Sequence, residues 1–253
     1  MLAGTLSNLP IVERFDTYRV APSTNDLARA ITAFPGQGIF VIQADRQTAG
    51  RGRSGAPYFS GEGGLWATIV APLPSLVDHF SHNRALSLAI AEAAEETAGI
   101  PASSIAVKWP NDLYLAGKKV CGILLENHPV RSDLLIMGFG LNVNIAPTDF
   151  PAELGGCATS LSMETGRPVS RSRLLEAIIG RYRANLAVES SLAHASYLRR
   201  LYRRGDRAEV ERRQGIVEGV EPDGRLRLRC GHELLFFVSG HVRFIDTRED
   251  IVR

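Results

Sequence analysis

The 253-residue chain has little cysteine, almost no net charge and no long apolar run, and each shortage removes a class of function. Its three cysteines, Cys121, Cys157 and Cys230, are an odd number, far apart and without a Cys-x-x-Cys pair. That argues against a disulfide-stapled fold and a cysteine-built metal site, and for a reduced intracellular protein. Lysine and arginine number 29 against 27 aspartates and glutamates, a net charge of +2. So small an excess supplies no field that would gather nucleic acid or a membrane surface. No apolar stretch approaches the ~20 residues of a membrane span, and no basic-then-apolar leader opens the chain, so a cytoplasmic location is expected. No internal repeat or low-complexity tract occurs. No helix-turn-helix precedes the first folded segment, so direct reading of DNA is not expected.

What the chain does have is one glycine-rich loop and a set of short polar motifs. Gln47 to Ser60 follows the apolar run Ile39–Ile42 and precedes Leu65–Val70, both of which read as buried strands. A few residues suffice to join two strands, and here about twenty are used. Glycines 50, 52, 55, 61, 63 and 64 concentrate there with Arg51 and Arg53. Glycine lets backbone N–H groups approach an anion, and arginine adds bidentate donors. The plain alternative is a solvated hairpin tip.

Val12 to Val20 reads as an edge strand after an extended entry segment. Ser23-Thr24-Asn25-Asp26 opens a short helix, Leu27–Ala33, with near-capping-box spacing. Those polar residues therefore either cap the helix or meet a ligand at its N-terminus. An amphipathic helix around Ala85–Ala94 stops at Gly99, and its Glu92, Glu95 and Glu96 read as a solvated face. Ile105–Leu115 is a strand broken by Pro110-Asn111-Asp112, and Lys119–Glu126 returns antiparallel to it. Lys108, Asp112 and Lys119 thus bracket one hairpin; edge-guarding lysines are the plain reading, but a lysine directly beside the apolar run Val120–Leu125 suits a functional role better. In the strand 134–145, Gly138 and Gly140 leave one face bare, and Asn142 and Asn144 share that parity. Two helices follow, roughly 172–188 and 192–202. From Arg204 onward short strands with close turns suggest a small antiparallel barrel. Seven arginines between 199 and 213 read mostly as solvated surface.

Read together and in order, these motifs resemble a biotin protein ligase (biotin–[acetyl-CoA-carboxylase] ligase) of the short type without an N-terminal DNA-binding domain. The resemblance rests on Ser23-Thr24-Asn25, Gln47–Arg53, Gly63–Trp66, Lys108–Asp112, Lys119–Glu126 and Gly138–Asn142. It implies an α+β fold: a mixed, largely antiparallel sheet with flanking helices, class II synthetase-like, over residues 1–203. A small SH3-like β-barrel would occupy 204–253. It implies ATP, Mg²⁺ and biotin, a biotinyl-AMP intermediate, and transfer to a lysine of a biotin carboxyl carrier protein. A homodimer is left open.

The same resemblance assigns the site residue by residue. Arg51, Arg53 and Lys119 would be catalytic. Ser23, Thr24, Asn25, Gln47, Gly50, Gly52, Trp66 and Gly122, with those three, would surround biotin. Lys108, Trp109, Asn111, Asp112, Gly140 and Asn142, with the two arginines, would hold ATP, and Asp112 would be the one metal-side carboxylate. Two positions depart from the family pattern: Ala56 replaces a third arginine and Tyr58 a tryptophan. Lipoate or octanoate attachment, a noncatalytic biotin-binding relative, and a binding module centred on the barrel are the rival readings.

Overall fold

The computed structural model describes residues 12–31, 33, 38–73 and 79–245. The entry segment before residue 12 and Thr32 of the expected first helix lie outside them. Seven strands form the main sheet in the order β1-β2-β3-β7-β6-β5-β4. They are β1 (Val12–Ala21), β2 (Ile39–Gln47), β3 (Leu65–Pro72), β4 (Ala106–Lys108), β5 (Asp112–Leu115), β6 (Lys118–Asn127) and β7 (Leu134–Leu141). β1 runs parallel to β2, and every other neighbouring pair is antiparallel. The expected edge strand is therefore present.

The two faces of this sheet differ in what covers them. Side chains alternate along a strand, so residues paired across strands share a face. Leu65, Ala67, Ile69, Met137, Phe139, Leu141, Cys121 and Ile123 point into the main apolar core. Helix α2 (His79–Ala98) and helix α4 (Arg171–Ala187) lie together in that core. Leu86, Ile90, Leu174, Leu175, Ile178 and Ile179 are fully buried. Each such side chain contributes roughly 1.5–3 kcal/mol relative to exposure. The opposite face carries Trp66, Thr68, Gly138, Gly140, Gly122, Leu124 and Glu126, by register. Short helix α1 (Thr24–Arg29) covers part of it, over Phe40, Ile42, Val70, Leu134 and Ile136.

One open alternative is decided and one expectation needs correction. Ser23 stands at the N-cap of α1, but its side chain accepts no capping hydrogen bond. The cap is backbone only, with Leu27 N donating to the Ser23 carbonyl at 3.1 Å. Glu95 is not on a solvated face. It is 4% exposed and accepts from Nη1 and Nη2 of Arg200, at 2.7 and 2.9 Å, and from Ile105 N at 2.8 Å. A buried carboxylate survives only when so fully paired. The pair fastens α2 to the end of helix α5 (Ser190–Arg199). One of the seven arginines is thus structural.

Between β7 and α4 lies a short helix α3 (Leu161–Thr165), capped by the Ser160 hydroxyl. After α5 come β8 (Arg207–Val210), β9 (Arg213–Val220), β10 (Leu226–Cys230), β11 (Glu233–Phe237) and β12 (Arg243–Phe244). They form a separate antiparallel sheet, ordered β11-β10-β9-β8-β12. This C-terminal lobe is joined to the main sheet by specific contacts. Trp109 Nε1 donates to the Gly224 carbonyl at 2.8 Å, and Tyr202 packs tilted against Tyr114 and edge-on to Phe244. Among the described residues no helix is long and apolar enough to cross a membrane.

Candidate functional site

A cavity of about 320 Å³ opens on the glycine-bearing face of the sheet. Its size suits a small organic ligand. Ser23, Thr24 and Asn25 at the start of α1 form one end, and Gln47, Arg51, Gly52, Arg53, Ala56, Pro57 and Tyr58 of the loop form the roof. Asn111, Asp112, Lys119, Gly122, Ile123, Leu124, Gly138, Phe139 and Gly140 form the floor and far end. His241 reaches the cavity from the C-terminal lobe.

The loop is folded rather than a loose tip. Gly52 N donates to the Ala56 carbonyl at 2.7 Å and Tyr58 N to the Gly50 carbonyl at 2.9 Å. Arg51 and Pro57 form an antiparallel bridge, closing a tight turn that contains Arg53–Gly55. The turn delivers Tyr58 onto the sheet. Gly122 and Gly140 are directly paired across β6 and β7, and Tyr58 lies on that pair. A Cβ at Gly140 would sit 2.5 Å from the ring, and one at Gly122 would sit 2.8 Å away. The Tyr58 hydroxyl donates to the Gly140 carbonyl at 2.8 Å, and its ring meets Trp66 edge-on at 6.2 Å. Burial pushes the phenol well above its usual range, with Cys121 and Asp112 adding to the shift, so it stays a donor.

The polar end is a connected network. Thr24 N and Thr24 Oγ1 both donate to Gln47 Oε1, at 2.7 and 3.1 Å. Gln47 Nε2 donates to Ser60 Oγ at 2.8 Å. Asn25 Nδ2 donates to Glu126 Oε2 at 2.7 Å, and Asn25 Oδ1 accepts from Thr68 Oγ1 at 2.7 Å. Asn25 is seated on Gly138, where a Cβ would come 2.1 Å from Oδ1. The bare parity of β7 is thus filled by Asn25 and Tyr58, which leaves the cavity beside them.

Each arginine and lysine at the cavity has an acceptor. Arg51 Nη2 contacts Asp26 Oδ1 at 2.6 Å and Glu126 Oε2 at 3.3 Å. Burial works against its charge, but Glu126 and Asp26 outweigh that and its pKa is raised. Lys119 Nζ pairs with Asp112 Oδ1 at 2.7 Å and lies 5.4 Å from the Tyr58 ring centroid. Arg53 Nη1 donates to the Gly240 carbonyl at 3.3 Å. Ion pairs with this partial solvent access are worth about 1 kcal/mol, so an anionic ligand can replace the carboxylates at small cost.

The structure gathers Ser23, Thr24, Asn25, Gln47, Arg51, Gly52, Arg53, Asn111, Asp112, Lys119, Gly122 and Gly140 on the cavity wall. Five other candidates lie off it. Gly50 packs under Ser60 and Tyr58. Trp66 is fully buried behind Tyr58, with Nε1 donating to the Gly61 carbonyl. Lys108 turns to Tyr114 and Phe244, and burial lowers its pKa. Trp109 is spent on the C-terminal lobe through Gly224. Asn142 donates to the Thr159 carbonyl, and its neighbour in parity, Asn144, is bonded to Val169 in both directions. No group of three or more metal-ligating side chains occurs among the described residues. Glu126, Thr68 and His241 join the site without a role assigned to them by sequence. The parity of β6, which puts Glu126 on the side of Gly122 and Leu124, is the signal that identifies the first.

Comparison with known proteins identifies the family and the fold. Residues 18–144 match the model of the biotin/lipoate A/B protein ligase family. The chain is 40% identical over 149 residues to the bifunctional ligase/repressor BirA of Bacillus subtilis, covering 56% of this chain but 44% of that protein. It thus spans less than half the length of that relative. Against the biotin–[acetyl-CoA-carboxylase] ligase of Paracoccus denitrificans it is 31% identical over 220 residues, 82% of this chain and 90% of the relative. The fold superposes on the biotin protein ligase of Aquifex aeolicus solved with biotin and ATP. That comparison has a TM-score of 0.79 and 26% identity, and covers 93% of this chain and all of the other. With the family model and a near full-length relative both in agreement, the chain belongs to the biotin/lipoate A/B protein ligase family.

Proposed function

We propose that this protein is an ATP-dependent ligase that activates biotin as biotinyl-5'-AMP and passes it to a lysine of a biotin carboxyl carrier protein. The observation that carries the reading is the convergence of Arg51, Arg53 and Lys119 on one cavity whose wall also carries the uncharged polar side chains of Ser23, Thr24, Asn25 and Gln47. The first step joins two anions, and only fixed positive groups make that approach favourable. A biotin carboxylate oxygen attacks the α-phosphorus, the bond to the bridging oxygen breaks, and diphosphate leaves with the electron pair. In the second step the carrier amine attacks the acyl carbon, AMP departs and the amine loses a proton.

Lys119 is assigned to the reacting carboxylate and α-phosphate, exchanging Asp112 for the substrate. Arg51 and Arg53 hold phosphate and carboxylate oxygens from the roof. Ser23, Thr24 and Gln47 face the uncharged end of biotin. Asn25 already spends its amide on Glu126 and Thr68, so it orients the pocket. Mg²⁺ would ride on the phosphates, and Asp112 is the carboxylate on the cavity wall that suits its oxygen preference. Residues 1–203 are read as the catalytic domain and 204–253 as a small SH3-like barrel. The support is the independent five-stranded antiparallel sheet that begins at Arg207. The carrier acceptor and a cytoplasmic setting follow from the reaction assigned.

The test is exchange of labelled diphosphate into ATP, run with biotin, lipoate and octanoate in parallel. Exchange with biotin alone is expected. Exchange with lipoate instead would transfer the assignment to the lipoate branch. Absence of exchange from folded protein that binds biotin would identify a noncatalytic relative.

A further inference from the structure

The cavity wall is built from residues 23–140 with one exception, His241, which arrives from the C-terminal lobe. The segment that carries it is held on both sides. Gly240 accepts from Arg53 Nη1 at 3.3 Å, and Val242 is 2% exposed in the core. Arg243 is tied to Glu209 at 2.9 Å. The imidazole is thus exposed at the cavity yet mounted on fixed backbone. Among the described residues it makes no hydrogen bond or ion pair, whereas Arg51, Arg53 and Lys119 are each engaged. On the same wall the loop presents Ala56, a side chain with no donor.

We propose that His241 is a phosphate-binding residue that the C-terminal lobe supplies to the ligase cavity, directed at the diphosphate portion of ATP. The proposal rests on the ligase reading above. An imidazole N–H donates to a phosphate oxygen whether the ring is neutral or charged, and is stronger when charged. Its neighbour Gly240 accepts from Arg53, the arginine assigned above to phosphate oxygens, and this contact is what directs the imidazole to the phosphate side. The same contact gives the lobe a part in the chemistry, because it couples the seating of residues 240–241 to occupation of the triphosphate subsite. A surface histidine with no ligand is the ordinary alternative.

The test compares binding of ATP and of AMP, each with Mg²⁺, by calorimetry on the full chain and on its His241→Ala and His241→Lys variants. Loss of one charge-assisted contact at an exposed rim predicts an ATP dissociation constant about tenfold higher in His241→Ala. AMP and biotin binding should be unchanged, and His241→Lys should restore ATP binding to within about twofold. In turnover the same alanine variant should raise KM for ATP with little change in kcat. Unchanged ATP affinity, or equal weakening of ATP and AMP, overturns the assignment. The readout is binding, so it holds even if diphosphate exchange fails, and a wild-type protein that binds no ATP overturns the ligase reading with it.

Discussion

The two faces of the seven-stranded sheet are made by different physics. On one, Leu, Ile, Val and Ala side chains meet α2 and α4, and the geometry is fixed by dense packing. On the other, glycines at 122, 138 and 140 remove side chains from the sheet, and Asn25 and Tyr58 arrive from elsewhere in the chain to fill the space. Around the cavity the geometry is fixed by hydrogen bonds and ion pairs that a ligand can replace, while α1 closes an apolar patch elsewhere on the same face. A single strand such as β7 serves both: Met137 and Leu141 face the core while Gly138 and Gly140 face the cavity. The stable face supplies rigidity, and the exchangeable face supplies chemistry.

That contrast can be broken at either face. Lys119→Ala should lower the rate of biotin adenylation by about 10²–10³-fold, the scale on which a positioned electrostatic group acts. Its melting temperature should stay close to wild type, because its partner pair is only a weak surface interaction. Near-normal exchange kinetics in folded Lys119→Ala would remove Lys119 from the site. Ile90→Ala, in the centre of α2 and fully buried, should do the reverse. It should cost about 2–5 kcal/mol in urea unfolding while the surviving folded fraction keeps its biotin affinity. Gly138→Ala falls between the two. A Cβ there must displace Asn25, so biotin binding should weaken several-fold with a stability loss of about 1–3 kcal/mol. Biotin titration followed by denaturant melts on one preparation separates the two effects, and an unchanged affinity would mean that Asn25 does not shape the pocket.

The core face is largely readable in the sequence because its pattern is local. The alanine-rich helix ending at Gly99, the strands around Ile39–Ile42 and Leu65–Val70, and the break at Pro110-Asn111-Asp112 follow from spacing alone. The cavity is readable where a motif is contiguous, as in Gln47–Arg53 and Lys119. It is not readable where parity names a face without naming what covers it. Asn142 shares parity with Gly140, yet the chain beyond β7 leaves the sheet and turns that amide to Thr159. Trp66 has the right parity too, but Tyr58 lies over it. Lys108 and Trp109 depend on where the C-terminal lobe docks, as does His241, and that lobe lies far along the chain from the hairpin. Spacing at Ser23 is half-informative: it marks the N-cap position correctly, but the side chain makes no capping bond and lines the cavity instead.

The seat of Tyr58 on the Gly122–Gly140 pair has a consequence for how this sequence can drift. The two glycines lie on neighbouring strands, 18 positions apart, and the ring that needs them lies on a loop 64 positions before the first. A methyl group gained at either glycine would evict the ring, and a smaller residue at 58 would open a void against Trp66 that neither glycine can fill. Three distant codons are therefore tied to one volume. A change in the loop's aromatic becomes tolerable only in the company of its floor, so the shape of the cavity roof is inherited as a unit.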